Sequence, residues 1–222
     1  MKTVIFDMDG VLVDTEPLYA YYVLMFYQRF HQSLTYQKVR RLAGSSSYDS
    51  WRMMGEWWNP KKTPEEMKNF YEKYVDHEPL RYEEVLNPYV RYILPRLKAK
   101  GYQLAIASSS PKKEILQMCK ECQLTTYFDQ LVSGHEFEKS KPDPSIYLET
   151  MKRLNSQPQE TIIIEDSDYG IQAAHAAGVY VIAKKDDRFG YDQSLADDQV
   201  HDLLEAYHKI LEREDKDDRK EN

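Results

Sequence analysis

Two carboxylates one residue apart close the apolar run Val4-Ile5-Phe6, so that the chain reads Val-Ile-Phe-Asp7-Met8-Asp9-Gly10. A second acid pair, Glu165 and Asp166, follows the apolar run Thr161–Ile164. Between the two pairs, Ser108, Ser109 and Ser110 follow Leu104-Ala105-Ile106-Ala107, and Lys141 stands in the segment Glu138-Lys-Ser-Lys-Pro-Asp-Pro144. In parallel α/β sheets ligands bind beyond the carboxyl ends of the strands, near the point where strand order reverses. The polar residues of this chain fall at such ends.

Four acids brought together from two strand ends repel one another, and each tends to hold a proton unless a cation compensates. With only oxygen ligands on offer and no His or Cys cluster of suitable spacing, a hard ion is selected, Mg2+ rather than zinc. Mg2+ works beside phosphate oxygens. Ser108 and the amides of Ser109 and Ser110 stand where a helix begins, which favours an anion, and Lys141 adds a point charge. These parts describe phosphoryl transfer. Asp7 is the candidate nucleophile, its charge and that of the transferring group offset by metal, lysine and amides. Asp9, two residues on and facing a different direction around the turn that Gly10 permits, is the candidate acid/base, protonating the leaving oxygen and then deprotonating a water. Alone, Asp-Met-Asp-Gly reads equally as an acidic turn after a strand; it is the ordered set of four elements that gives it meaning.

The elements that must position these residues follow from periodicity. Five apolar runs read as strands, Thr3–Phe6, Gln103–Ala107, Gln130–Ser133, Thr161–Ile164 and Val179–Ile182, and helical patterns separate them from the second onward. One such helix is expected to begin with Ser110 as N-cap and Pro111 in its first position. Strand and helix at short spacing predict a Rossmann-like parallel sheet flanked by helices. Residues 15–86 break this rhythm, being rich in Tyr, Trp and Met at helical spacing, and read as an inserted all-helical domain. Its first helix should present Leu18, Tyr22, Met25, Phe26 and Phe30 as an apolar stripe, while Gly44–Ser50 and Asn59–Glu66 read as loops. The expected division is an α/β core of residues 1–14 and 87–212, the helical insertion, and a charged tail of 213–222 that is a frayed helix end or disordered. Hinges are expected near Asp14 and Asn87–Tyr89, and Pro95 marks a kink or a late helix start.

Bulk properties narrow the function. The chain has 222 residues and a net charge of −7, which argues against a protein that grips the nucleic-acid backbone. No apolar run reaches the roughly 18 residues that span a bilayer, so a cytoplasmic protein with no membrane partner is expected. Cys119 and Cys122 stand late in a helical pattern, away from the helix start where reactive thiols sit, and are read as inert. The scattered histidines show no ligand spacing.

Asp7-Met-Asp-Gly-Val-Leu-Val-Asp-Thr15, Ala107-Ser-Ser-Ser110, Ser140-Lys-Pro-Asp-Pro144 and Ile162-Ile-Ile-Glu-Asp-Ser-Asp-Tyr-Gly170 with the residues after it resemble the four ordered motifs of the haloacid dehalogenase superfamily. The likeness is to the phosphatase and β-phosphoglucomutase-like branch with a helical cap. It implies Asp7 as phospho-acceptor, Asp9 as general acid/base that also lends its backbone carbonyl to Mg2+, Ser108 and Lys141 as phosphate ligands, and Glu165 and Asp166 at or near the metal. Together with the reading of the residues, the expected site is Asp7 and Asp9 as catalytic residues, Ser108, Ser109 and Lys141 as substrate ligands, and Asp7, Asp9, Glu165 and Asp166 around Mg2+. Dehalogenation needs no metal, and the acids speak against it. Similar mutases carry a histidine where this chain has Tyr19 and an arginine near Ser47. A phosphatase acting as a monomer on a small phosphorylated metabolite is therefore favoured over a mutase. A non-catalytic phosphate-binding domain remains the alternative from another class, against which Asp9 counts.

Overall fold

The computed structural model describes residues 2–76 and 79–218, with side chains described to 214. The chain divides into two compact units, Met1–Asp14 with Arg81–Asn222, and Thr15–Leu80.

The first unit is a six-stranded, wholly parallel sheet in the order β3-β2-β1-β4-β5-β6, and with its helices it forms an α/β fold. The strands are β1 (Thr3–Phe6), β2 (Gln103–Ser108), β3 (Gln130–Ser133), β4 (Thr161–Glu165), β5 (Tyr180–Lys184) and β6 (Asp198–Val200). β6 was not expected from the sequence, because Asp-Gln-Val carries no apolar run and only Val200 is buried. The helices are α5 (Val90–Ala99), α6 (Lys112–Glu121), α7 (Ser145–Leu154), α8 (Asp168–Ala176) and α9 (Leu203–Asp218).

Both faces of the sheet are dry. Ile5, Ala105, Ala107, Ile163, Val181 and Ala183 point into one core with Tyr147, Met151 and Leu154 of α7 and Ile171 and Ala174 of α8. By the two-residue period of a strand, Val4, Phe6, Leu104, Ile106, Ile162, Ile164 and Ile182 face the other way, and they are just as buried. The apolar runs are continuous for this reason. Strand order reverses between β1 and β4, so the carboxyl ends of these two strands open side by side.

Pro95 neither breaks nor delays α5. The carbonyl that its missing N–H leaves free belongs to exposed Arg91, and Val90, Ile93, Leu94 and Leu97 bury the opposite face. α6 starts at Lys112 with Pro111 as its N-cap, and Ser110 does not cap it. At the far end, residues 213–218 continue α9, while residues 219–222 of the charged tail lie outside the described residues.

Residues 81–86 cluster with the sheet and not with the insertion. Tyr82 is buried, its amide donates to Glu121 at 2.9 Å, and Leu86 bridges Val13. Asn87 is equally fixed: its side chain donates to the carbonyls of Gly10 and Val11 at 3.3 and 2.8 Å, and its amide to that of Leu12 at 2.9 Å. The second crossing between units is thus near Leu80, before the expected hinge.

The helical unit contains α1 (Glu16–Arg29), α2 (Tyr36–Val39), α3 (Ser47–Trp57) and α4 (Pro64–Tyr74). α1 buries Ala20, Val23, Phe26 and Tyr27, so the expected stripe is rotated, and Met25 is exposed. Both expected loops begin helices. Ser46 caps α3 through the Asp49 amide, and Thr63 with Glu66 forms a capping box on α4. Phe26 lies at the centre of a ring cluster, with centroids 4.7 Å from Tyr71, 5.3 Å from Phe30, 5.6 Å from Trp58 and 5.7 Å from Phe70.

All three tryptophans of the chain, Trp51, Trp57 and Trp58, belong to this unit, so tryptophan fluorescence reports on it alone. Phe26→Ala should lower the stability read by that fluorescence in urea by about 3–5 kcal/mol. An unchanged midpoint would show that the ring cluster is not the unit's core.

Candidate active site

Asp7 follows β1 directly, and its amide donates to the Ile164 carbonyl at 3.0 Å, extending the ladder one residue beyond the strand. Asp7 is thereby held beside the end of β4, where Glu165 and Asp166 stand. Asp7, Glu165 and Asp166 are all buried, and each offers a carboxylate oxygen within 4.8 Å of the others. Lys141, 8% exposed, inserts its Nζ between two of them, 2.7 Å from Asp7 Oδ1 and 2.6 Å from Glu165 Oε1, and donates to the Ala107 carbonyl at 3.1 Å. The four motifs meet here.

The two carboxylates that share Lys141 are not equivalent. Glu165 accepts from Lys141 and from the Tyr147 hydroxyl at 2.9 Å on Oε1, and from the Asp166 amide, the Ser167 amide and the Ser167 hydroxyl at 2.8, 3.1 and 3.2 Å on Oε2. Five donors fill the roughly four lone-pair positions of a carboxylate. Burial works against its charge, but Lys141 and these donors outweigh burial and hold Glu165 below 4.5. For Asp7 burial wins: it pushes the carboxyl from 3.8 up to about 8, with Lys141 opposing and the Glu165 and Asp9 carboxylates assisting. Burial also opposes the charge on Lys141, which its two carboxylates nevertheless keep raised well above 10.5. The charged pair is Lys141 with Glu165, and Asp7 is the group left undercompensated.

Two glycines make room for this cluster. A Cβ at Gly170 would lie 1.7 Å from Glu165 Oε1, and one at Gly10 would lie 2.0 Å from Asp166 Oδ2. Gly10 also has a φ of +81°, which other residues rarely adopt. The carboxylate of Asp166 is thus seated against the turn that follows Asp9.

Asp9 is half-buried, and its carboxylate is outside the trio. Its Oδ2 accepts from the Ser110 hydroxyl at 2.6 Å, which is why that hydroxyl does not cap α6. Ser108 is buried at the end of β2 with its Oγ accepting from the Ser110 amide at 3.0 Å, while Ser109 is exposed. The hydroxyls of Ser110 and Tyr147, and the space that Gly170 leaves for Glu165, were not read from the sequence. Tyr147 lay hidden in the apolar stripe of α7, although its ring centroid is 4.9 Å from Lys141 Nζ. The resemblance placed Glu165 at or near the metal, and Glu165 belongs to the buried acid trio, where one of its oxygens also accepts from Lys141.

Cys119 and Cys122 are buried thiols, and burial pushes them up to about 12 and about 11. No helix among the described residues is long and apolar enough to cross a membrane.

At the strand switch point a buried acid thus has a lysine and a second acid pair beside it. The chain belongs to the haloacid dehalogenase-like hydrolase family, whose model matches residues 4–184. It is 36% identical over 208 residues to a phosphorylated carbohydrates phosphatase of Thermotoga maritima, spanning 93% of this chain and 91% of that one. Phosphoglycolate phosphatase 1 of Pseudomonas aeruginosa is 30% identical over 91% of this chain and 78% of its own. A solved structure from Thermotoga maritima, provisionally named a β-phosphoglucomutase, matches with a TM-score of 0.73 and 32% identity, covering 96% and 99% of the two chains.

The Asp7 shift carries a stability signature with a definite sign. Between about pH 4 and 8 the folded chain holds a proton on Asp7 that the unfolded chain, at 3.8, has released, so this group's contribution to stability is lost as pH rises through that window. Asp7→Asn cannot show that loss. In chelator-treated buffer, the thermal midpoint of the variant relative to wild type should rise from pH 4 to 8 and then level off. A difference independent of pH would refute the placement of Asp7 as the undercompensated acid.

Proposed function

We propose that this protein is a Mg2+-dependent phosphatase that hydrolyses a small phosphate monoester, a sugar phosphate or similar metabolite, through an aspartyl-phosphate intermediate. What supports this reading above all is the asymmetry of the buried cluster. Lys141 and Glu165 form a satisfied pair, and Asp7 stands beside them at the strand switch point with its charge still to be compensated.

The donor set fits a hard divalent cation, because it is all oxygen and buried, and its three acids face a single lysine. Asp7, Asp166 and the Asp9 carbonyl are the groups that would hold it, with Glu165 behind them through Lys141. Mg2+, when bound, supplies positive charge against the phosphoryl oxygens.

An Asp7 carboxylate oxygen attacks phosphorus, the bond from phosphorus to the leaving oxygen breaks, and Asp9 gives that oxygen a proton. Water then attacks the phosphorus of the acyl phosphate, Asp9 takes a proton from it, and the Asp7 carboxylate leaves as inorganic phosphate is released. Lys141 holds charge against the transferring group, and Ser108 and the amide of Ser109 are the candidates to bind its oxygens. The Ser110 hydroxyl holds the Asp9 carboxylate in place between the two half-reactions.

The phosphatase relatives favour hydrolysis, and the β-phosphoglucomutase name of one structural neighbour keeps transfer between sugar positions as the second reading. Tyr19 and Ser47, standing where the mutases carry histidine and arginine, weigh against transfer. The protein is taken to act as a cytoplasmic monomer without nucleic-acid or membrane partners.

Phosphate release from a panel of sugar phosphates, nucleotides and small phospho-acids, with and without Mg2+, tests the proposal. Release should require Mg2+, vanish in Asp7→Asn, and fall by about 10²–10⁴ in kcat in Asp9→Asn. Formation of glucose 6-phosphate from β-glucose 1-phosphate without phosphate release would establish the mutase instead, and absence of any turnover would favour the binding domain.

A further inference from the structure

The segment after β5 carries no family motif, yet it reaches into the turn that holds Asp166. Gln193 is 8% exposed, and its Nε2 donates to the carbonyls of Asp166 at 2.6 Å and Lys184 at 2.9 Å. Both partners are backbone acceptors, so only the amide nitrogen, with its two protons, can stand there. One side chain ties the residue after β4 to the last residue of β5.

Neighbouring contacts fix Gln193 itself. Its carbonyl accepts from the Ala196 amide at 3.1 Å and from Gln199 Nε2 at 3.2 Å. The preceding amide, of Asp192, donates to Asp168 Oδ1 at 2.9 Å, so the same loop grips the first turn of α8. Asp166 is therefore clamped along its backbone from both sides, its N–H given to Glu165 Oε2 at 2.8 Å and its C=O taken by Gln193 at 2.6 Å. Its carboxylate lies against Gly10 with no space to spare.

We propose that Gln193 is a positioning residue for the metal site, setting the Asp166 carboxylate through the Asp166 backbone carbonyl. The inference rests on the reading of Asp166 as a Mg2+ ligand. Groups that orient a ligand from behind typically change metal affinity by about 10–100-fold when altered. Gln193→Glu keeps shape and volume but sets a carboxylate oxygen against two carbonyl oxygens. Gln193→Met keeps length and apolar packing and removes both hydrogen bonds.

Mg2+ binding to the full chain, measured by titration calorimetry, separates the possibilities, with thermal midpoints recorded in chelator as a measure of folding. Both variants should bind Mg2+ about 10–100-fold more weakly, Gln193→Glu more weakly than Gln193→Met, and phosphate release should recover towards the wild-type kcat as Mg2+ is raised. Where Gln193→Glu does not fold, Gln193→Met carries the test. A lowered midpoint with an unchanged Mg2+ dissociation constant would overturn the inference and leave Gln193 a purely structural tie. Failure of the wild-type chain to bind Mg2+ would instead overturn the metal reading beneath it, and the inference with it.

Discussion

A buried ammonium between two buried carboxyl groups is the interaction on which the rest of this structure depends. Taking any one of these charges out of water costs several kcal/mol. Lys141 is tolerated because Asp7 and Glu165 lie 2.7 and 2.6 Å from its Nζ, with the Ala107 carbonyl as a further acceptor. Glu165 is tolerated because five donors converge on it, three of them from the turn that starts α8. The charges also need the fold to bring them together: Asp7 from β1, Glu165 from β4, and Lys141 from the loop after β3. Remove the lysine and two carboxylates are left facing each other in a dry interior.

The parallel sheet meets this demand through its order of strands. β1 lies between β2 and β4, so the residue after β1 has the end of β4 on one side and Ser108 on the other. The cluster is so tight that two positions cannot carry a Cβ. At Gly170 the obstacle is Glu165 and at Gly10 it is Asp166, so both glycines are spatial requirements of the acids they face. The side chains of the α/β core and the site are thus one packing problem.

Much of this was legible in the sequence. Continuous apolar runs in β1, β2, β4 and β5 follow from burial on both faces, and polar residues at their ends mark the site without reference to any helix. The aromatic-rich stretch read over residues 15–86 likewise announced a core of its own, which the ring cluster around Phe26 supplies. What escaped detection depended on contacts between residues far apart in the chain. The stripe of α1 was misjudged because Tyr27, whose hydroxyl donates to the Met54 carbonyl, turns inward where Met25 was expected. β6 is three residues long and owes its place to pairing with β5 and to the Asp198 carboxylate, which accepts from the Tyr180 hydroxyl at 2.7 Å. Tyr147 and Gln193 carried no signal in the sequence because their polar atoms meet partners 18 and 27 residues away. The caps at Ser46 and Thr63, by contrast, were local signals that the loop reading overlooked.

The same lysine faces two acids, yet their surroundings divide the work between them. Five donors, two of them backbone amides, converge on Glu165 and hold it below the usual carboxylate range. Asp7 shares the lysine but has no comparable set of amides, and burial then dominates. An acid in that condition gains most from an added positive charge, and its oxygen is not already committed to several donors. The undercompensated acid thus follows β1, and the saturated one ends β4. Asp9 stands outside this pair and outside the acid trio, its carboxylate accepting from the Ser110 hydroxyl.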